Sequence, residues 1–88
     1  MFIWDDNKNN LNIEKHGVSF EDATEAFEDP HRLIILDEGH SKNEERYYCF
    51  GMVDGGVLTV RFTIRGGVIR IFGAGYWRKG KMRYEKRN

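Results

Sequence analysis

Residues 46–74 read RYYCFGMVDGGVLTVRFTIRGGVIRIFGA: three alternating apolar runs separated by two glycine-rich turns. Runs rich in Val, Ile, Phe, Thr and Tyr with a two-residue period are strand signals, and short Asp-Gly or Gly-Gly segments join antiparallel neighbours. The stretch therefore predicts a three-stranded meander. In VLTVRFTIR, alternation sends Leu58, Val60, Phe62 and Ile64 toward a core and Thr59, Arg61, Thr63 and Arg65 to the opposite face. With Gly66-Gly67 as a two-residue turn, Ile64 pairs with Ile69 and Thr63 with Arg70, which adds Arg70 to the arginine face. Closing the earlier hairpin over Asp54, Gly55 and Gly56 pairs Phe50 with Val60, Cys49 with Arg61 and Tyr47 with Thr63. One face of the sheet is then expected to display Tyr47, Arg61, Thr63, Arg65 and Arg70.

Elements on either side of the meander complete the fold. FIWD (residues 2–5) reads as a short first strand, and the polar stretch 6–16 as a helix with Asp6 as N-cap and Gly17 as C-cap. Leu11 and Ile13 are its only apolar content. VSFEDATEAFEDP carries a stronger helix start: Ser19 caps, and Val18 and Ala23 are placed as a hydrophobic staple. Phe20, Ala23, Thr24 and Phe27 share one helical face, and Asp29-Pro30 stops it. RLIILDE is a further strand, GHSKNEE a polar loop, and the residues after Trp77 a short final helix weakened by Gly80. The order is β-α-α-β-β-β-β-α, an α+β domain over residues 1–88 with an antiparallel sheet packed by helices.

Composition narrows the function. The chain has 88 residues and a formal net charge of zero, with one cysteine and no apolar run of membrane-spanning length. No signal-peptide pattern opens it, so a reducing cytoplasm is the expected home. The neutral total hides a division. Residues 1–45 carry four Lys or Arg against twelve acids, and residues 46–88 carry ten against two. Such asymmetry suits a polyanion-binding surface, and equally a fold whose halves neutralise each other. Arginines on facing strands repel unless they share an anion, which a phosphate backbone supplies. The basic tail, with Arg78, Lys79, Lys81 and Arg83, extends that face, and Tyr47 would offer a stacking plane.

Little else in the chain suggests chemistry. His16, His31 and His40 lack i,i+4 spacing, so no metal site is expected. The acidic loop around His40 does not match a calcium-binding loop. Cys49 sits mid-strand without a His or Asp constellation, and no phosphate-cradling or dinucleotide motif is present. An enzyme with this inventory uses few groups and no cofactor. RNA cleavage suits it, because the 2′-hydroxyl is the nucleophile and the protein need only position phosphate, stabilise charge and move protons. Arg65, Arg70, Arg78 and Lys79 fit the electrostatic role, and His16 or Tyr84 the proton transfer. A non-catalytic module that docks nucleic acid or an acidic partner fits the same charge pattern.

FIWDDNKNNLNIEKHGVSFEDATEAFEDP holds Trp4, Asp5, Lys8, Asn12, Lys15, His16, Gly17, Val18, Ser19, Phe20 and Ala23 in the spacing F-x-W-D-x-x-K-x-x-x-N-x-x-K-H-G-V-S-F-E-E-A, which resembles the opening of the BrnT family of toxins. DEGHSKNEER resembles D-x-x-H-S-x-x-E-x-R through Asp37, His40, Ser41, Glu45 and Arg46. TIRGGVIRIFGA resembles T-x-R-G-x-x-I-R-I-I-S-A through Thr63, Arg65, Ile69, Arg70 and Ala74. The resemblance implies a RelE-like fold and a ribonuclease toxin of a type II toxin–antitoxin module. It also implies an RNA substrate, a BrnA-like antitoxin that neutralises the toxin, and contact with operator DNA only through that antitoxin. One departure stands out: many members carry an arginine where this chain has Gly75, so if that arginine contacts RNA its work passes to Arg78 or Lys79, or activity is reduced.

Overall fold

The computed structural model describes residues 1–87. Strand β1 (Phe2–Ile3) leads into helix α1 (Asp6–His16) and helix α2 (Phe20–Ala23), which continues as a 3₁₀ segment, Thr24–Glu28. Then come β2 (Leu33–Leu36), a 3₁₀ turn at Glu38–His40, β3 (Tyr47–Val53), β4 (Gly56–Arg65), β5 (Val68–Gly75) and α3 (Arg78–Lys86). The expected α+β architecture and element order are present. The sheet order is β1-β5-β4-β3-β2. It is mixed rather than wholly antiparallel, because β1 pairs with β5 in parallel through Phe2–Ile69 and Ile3–Arg70. Among the described residues no helix is long and apolar enough to cross a membrane.

The β4–β5 hairpin has the register read from the sequence, with Ile64 opposite Ile69 and Thr63 opposite Arg70. A bulge at Phe72 then shifts the pairing, so that Phe62 faces Ile71 while Arg61 faces Gly73. The β3–β4 hairpin differs by one residue. Its turn is Asp54-Gly55, with φ of 50° and 80°, and Gly56 already pairs with Val53. Two consecutive left-handed residues match the twist of the strands they join, which favours this turn over a three-residue loop. Phe50 therefore lies opposite Thr59, Cys49 opposite Val60, Tyr48 opposite Arg61 and Tyr47 opposite Phe62. This corrects the expected pairs and moves Tyr47 off the arginine face.

One sheet face carries the core. Phe20, Leu58, Val60, Phe62 and Ile71 are all essentially inaccessible. Phe27 packs edge-on against Phe62 at 5.1 Å, and Trp4 against Phe20 at 6.2 Å. Ile64, expected inside, is half exposed because the packed cluster ends at Phe62 and Ile71. Ser19 caps α2 by accepting from Asp22 N–H at 3.0 Å, and Val18 and Ala23 are buried as a staple requires. The segment after Ala23 runs against β3, where a Cβ at Gly51 would overlap the Ala26 carbonyl.

Helix α1 is held differently from its sequence reading. Its N-cap is Asp5, which accepts from Lys8 N–H, and not Asp6; Gly17 closes it in the left-handed region at φ 69°. Leu11 and Ile13 point to solvent. The buried residue is Asn12, whose amide donates to Val18 O and Ala74 O at 2.9 Å each and accepts from Ala74 N–H at 3.2 Å. A buried side chain bonded three times to backbone fixes the helix against β5 without an apolar stripe.

Candidate active site

Helix α3 covers part of the other sheet face. A Cβ at Gly80 would collide with the Thr59 hydroxyl and lie 3.0 Å from Phe50, so only glycine lets the helix sit this close. The residue that weakens the helix in isolation is the one that docks it. Gly75 has a related role: a Cβ there would fall 2.6 Å from the Trp77 indole. The missing arginine leaves the space in which Trp77 folds back as a groove wall.

Between α3, the end of β2 and the 3₁₀ turn lies an open groove. Asp37, His40, Tyr48, Arg61, Lys79 and Arg83 line it, with Trp77. The loop from residue 37 to 46 is built to hold the first two. Asp37 N–H donates to Arg46 O at 2.7 Å, and Ser41 Oγ donates to Asp37 O at 2.6 Å while accepting from Arg46 N–H at 3.0 Å. The 3₁₀ turn returns His40 over Asp37, placing Nδ1 2.9 Å from Oδ2. The Asp37 side chain is only 10% exposed, whereas the His40 side chain is 62% exposed. A buried carboxylate thus orients an accessible imidazole.

The charges around Asp37 are matched to that task. Burial acts to raise its pKa, but bonding to His40 and Tyr48, and the charges of His40 and Arg61, hold it below the usual carboxylate range. It stays ionised at neutral pH. Tyr48 is pushed up, first by burial and then by the neighbouring Asp37 carboxylate, so its phenol keeps its proton. Arg61, half-buried, is held by Phe72, its guanidinium 5.0 Å from the ring centroid; Arg46 contacts the same ring at 4.9 Å.

The structure brings some of the sequence candidates together. Arg61, Lys79 and Arg83 line the groove. Arg70 is half-buried on the same sheet face, two β4 positions beyond Arg61 by register. Arg65 makes a two-pronged ion pair with Glu44, at 2.6 and 3.0 Å. Arg78 and Lys81 are exposed on α3 and do not line the groove. Tyr47 faces the core side, stacked on Phe62 at 5.4 Å and donating to Glu45. His16 is exposed, edge-on to Trp77 at 5.2 Å, and Tyr84 donates to Asp29 away from the groove. Cys49 is buried with its thiol pushed up to about 12 by burial, as suits an inert packed group.

Sequence reasoning did not single out Asp37, His40 or Tyr48, which line the groove, or Arg46, which shares the Phe72 ring with Arg61. The signal for three of them was the D-x-x-H-S-x-x-E-x-R pattern, and for Tyr48 only a correct register. A family model described as ribonuclease toxin, BrnT, of type II toxin-antitoxin system matches residues 4–80. That span contains Asp37, His40, Tyr48, Arg61 and Lys79. Comparison with curated proteins gives no match.

Proposed function

The chain belongs to the BrnT family of ribonuclease toxins of type II toxin–antitoxin systems, and from this premise we propose that it is an endoribonuclease whose chemistry lies in the Asp37–His40 groove. The observation that carries the proposal is the 2.9 Å contact that orients an exposed imidazole on a buried carboxylate, within a groove also lined by Arg61, Lys79 and Arg83. Proton transfer is assigned to His40 and Tyr48 rather than to His16 and Tyr84, which lie outside this groove.

In the proposed reaction His40 takes the proton of a ribose 2′-hydroxyl through the nitrogen that Asp37 leaves free. The 2′-oxygen bonds to the adjacent phosphorus, and the bond from phosphorus to the 5′-oxygen breaks. Arg61, Lys79 and Arg83 stabilise the charge that builds on the phosphoryl oxygens. Tyr48, kept protonated by burial and Asp37, supplies a proton to the departing oxygen. The product ends are a 2′,3′-cyclic phosphate and a 5′-hydroxyl. The nucleophile is intrinsic to the substrate, so the step requires no metal. Cleavage of this kind would inhibit translation and growth. A BrnA-like antitoxin is the proposed neutralising partner, and operator DNA would be reached only through it.

The test is RNA cleavage by antitoxin-free protein in EDTA, with and without ribosomes, followed by analysis of the ends. Wild-type protein is expected to leave cyclic or 3′-phosphate ends. His40→Ala should lose about 10²–10⁴ in rate, with circular dichroism confirming that the fold survives loss of this partner of the buried Asp37 carboxylate. Intact RNA in every wild-type reaction, with salt-sensitive binding, would replace this reading by a non-catalytic docking module.

A further inference from the structure

The cations on the α3 side of the sheet are not equally free. Among the described residues, no carboxylate lies within ion-pairing distance of Arg46, Arg61 or Arg70. Arg65 alone is engaged, by Glu44, and the engagement is two-pronged: Nε to Oε2 at 2.6 Å and a terminal nitrogen to Oε1 at 3.0 Å. This fork geometry is also the one in which a guanidinium holds two oxygens of a phosphate. The hydrogen bonds from Arg65, followed by its charge and those of Arg46 and Arg70, hold the Glu44 carboxyl below the usual range. Glu44 therefore sits as a permanent anion at the edge of an arginine cluster.

The cluster continues from the groove. Arg61 lines the groove and shares the Phe72 ring with Arg46. Arg70 lies opposite Thr63, and Arg65 ends the same strand. Residues 61, 63 and 65 point to one face at about 6–7 Å intervals, close to the spacing of successive phosphates in a single strand. We propose that Arg46, Arg65 and Arg70 form a second phosphate subsite for the RNA strand flanking the scissile position, and that Glu44 occupies it in the free protein as a built-in competitor. This deepens the ribonuclease reading and rests on it. Flanking RNA must displace Glu44 from Arg65, so the intact ion pair weakens binding of longer strands.

A competing carboxylate leaves a specific mark on salt dependence. When RNA displaces Glu44, the cation released from the RNA phosphate is offset by one drawn to the freed carboxylate, so this position adds little to the salt dependence. With Glu44 neutral there is no such uptake, and the cation leaving the phosphate counts in full. The slope of log K against log salt should then steepen by up to about 0.7, the value for one phosphate contact on a single strand.

The experiment uses the full chain and a single-stranded, 2′-O-methylated RNA nonamer, which binds but carries no free nucleophile. Affinity is measured from low to moderate salt for wild type, Glu44→Gln and Glu45→Gln. Glu45 removes the same charge but contacts Tyr47 on the other face. Glu44→Gln is expected to bind about 3–10-fold more tightly with the steeper slope, while Glu45→Gln stays within twofold of wild type. Equal tightening by both variants would show general charge repulsion and overturn the proposal. Unchanged or weaker binding by Glu44→Gln would do the same. Cleavage of an unmethylated RNA by wild type, run in parallel, separates failure of this subsite from failure of the ribonuclease reading.

Discussion

The two faces of the sheet are made from the same strands by alternation, yet they are built for different purposes. On one face Phe20, Val60, Phe62 and Ile71 are sealed from water within one apolar cluster that also holds Leu58, Cys49 and Ala74. On the other, Tyr48, Arg61, Phe72 and Arg70 remain half-buried beside a helix held close by Gly80. Adjacent residues fall on opposite sides: Tyr47 stacks on Phe62, while Tyr48 stacks on Phe50 and faces the groove. In a chain of 88 residues there is little core to spare, so most of the buried apolar cluster lies on one face, and the other is the face proposed for recognition. The cations of that face are partly offset by Glu44, which pairs with Arg65, and by the ionised Asp37 beside Arg61.

The largest effect that follows from this division is on stability. Phe62→Ala removes a ring that packs with both Phe27 and Tyr47 and should cost about 3–5 kcal/mol, a large share of the stability of a small domain. Urea unfolding would measure it. A cost under about 1 kcal/mol would mean the face is plastic and the division between faces weaker than drawn.

Much of this plan was legible in the sequence because alternation in VLTVRFTIRGGVIRIFG fixes faces directly, and the glycine pair fixes the β4–β5 register. The β3–β4 register failed on one residue. Asp54 and Gly55 alone make the left-handed turn and Gly56 already pairs in β4, whereas the sequence reading closed the hairpin over all three residues. That slip exchanges Tyr47 and Tyr48 between faces, since a shift of one reverses every side chain. The Asp37–His40 contact was hidden for another reason: a 3₁₀ turn, invisible to periodicity, brings them together inside a loop that reads as merely polar. Asn12 and Ala74 are 62 residues apart, so no local pattern reveals the bond that seats α1. The two-residue parallel strand β1 is likewise set by its distant partner.

The exchanged tyrosines sharpen the comparison through chemistry. Tyr48→Phe removes the hydroxyl beside Asp37 and should lower RNA cleavage by about 10–100-fold. Tyr47→Phe loses only an exposed contact to Glu45 and should stay within twofold. Single-turnover cleavage rates would decide it. Equal losses would show that the face a residue occupies does not predict its role, and loss in Tyr47→Phe alone would restore the register read from the sequence as the functional one.

The smallest expected effect concerns the place where the two faces are joined. Beyond the start of β2, Met52 is paired with β4 but not with β2, and its N–H donates to Asp29 at 2.7 Å, as His31 N–H does at 2.8 Å. The same carboxylate accepts from Tyr84 on α3, so it ties the groove-side helix to the segment that covers the core. Burial acts to raise the Asp29 pKa, but the bonds from Tyr84, Met52 and His31 outweigh it and leave the group below its usual value. A carboxyl depressed by folding stabilises the native state above its unfolded pKa, near 4, and loses that contribution as pH falls through the folded value. Asp29→Asn should therefore be less stable than wild type at pH 7, with the difference shrinking below about pH 4 as the wild-type carboxyl is protonated. Asp37 is also depressed, so the informative quantity is the difference between the two proteins and not either curve alone. Thermal midpoints at pH 7, 5 and 3 would give it. A difference that stays constant into acid would mean that geometry rather than charge holds α3 to the core side, and the coupling between the two faces would then be independent of protonation.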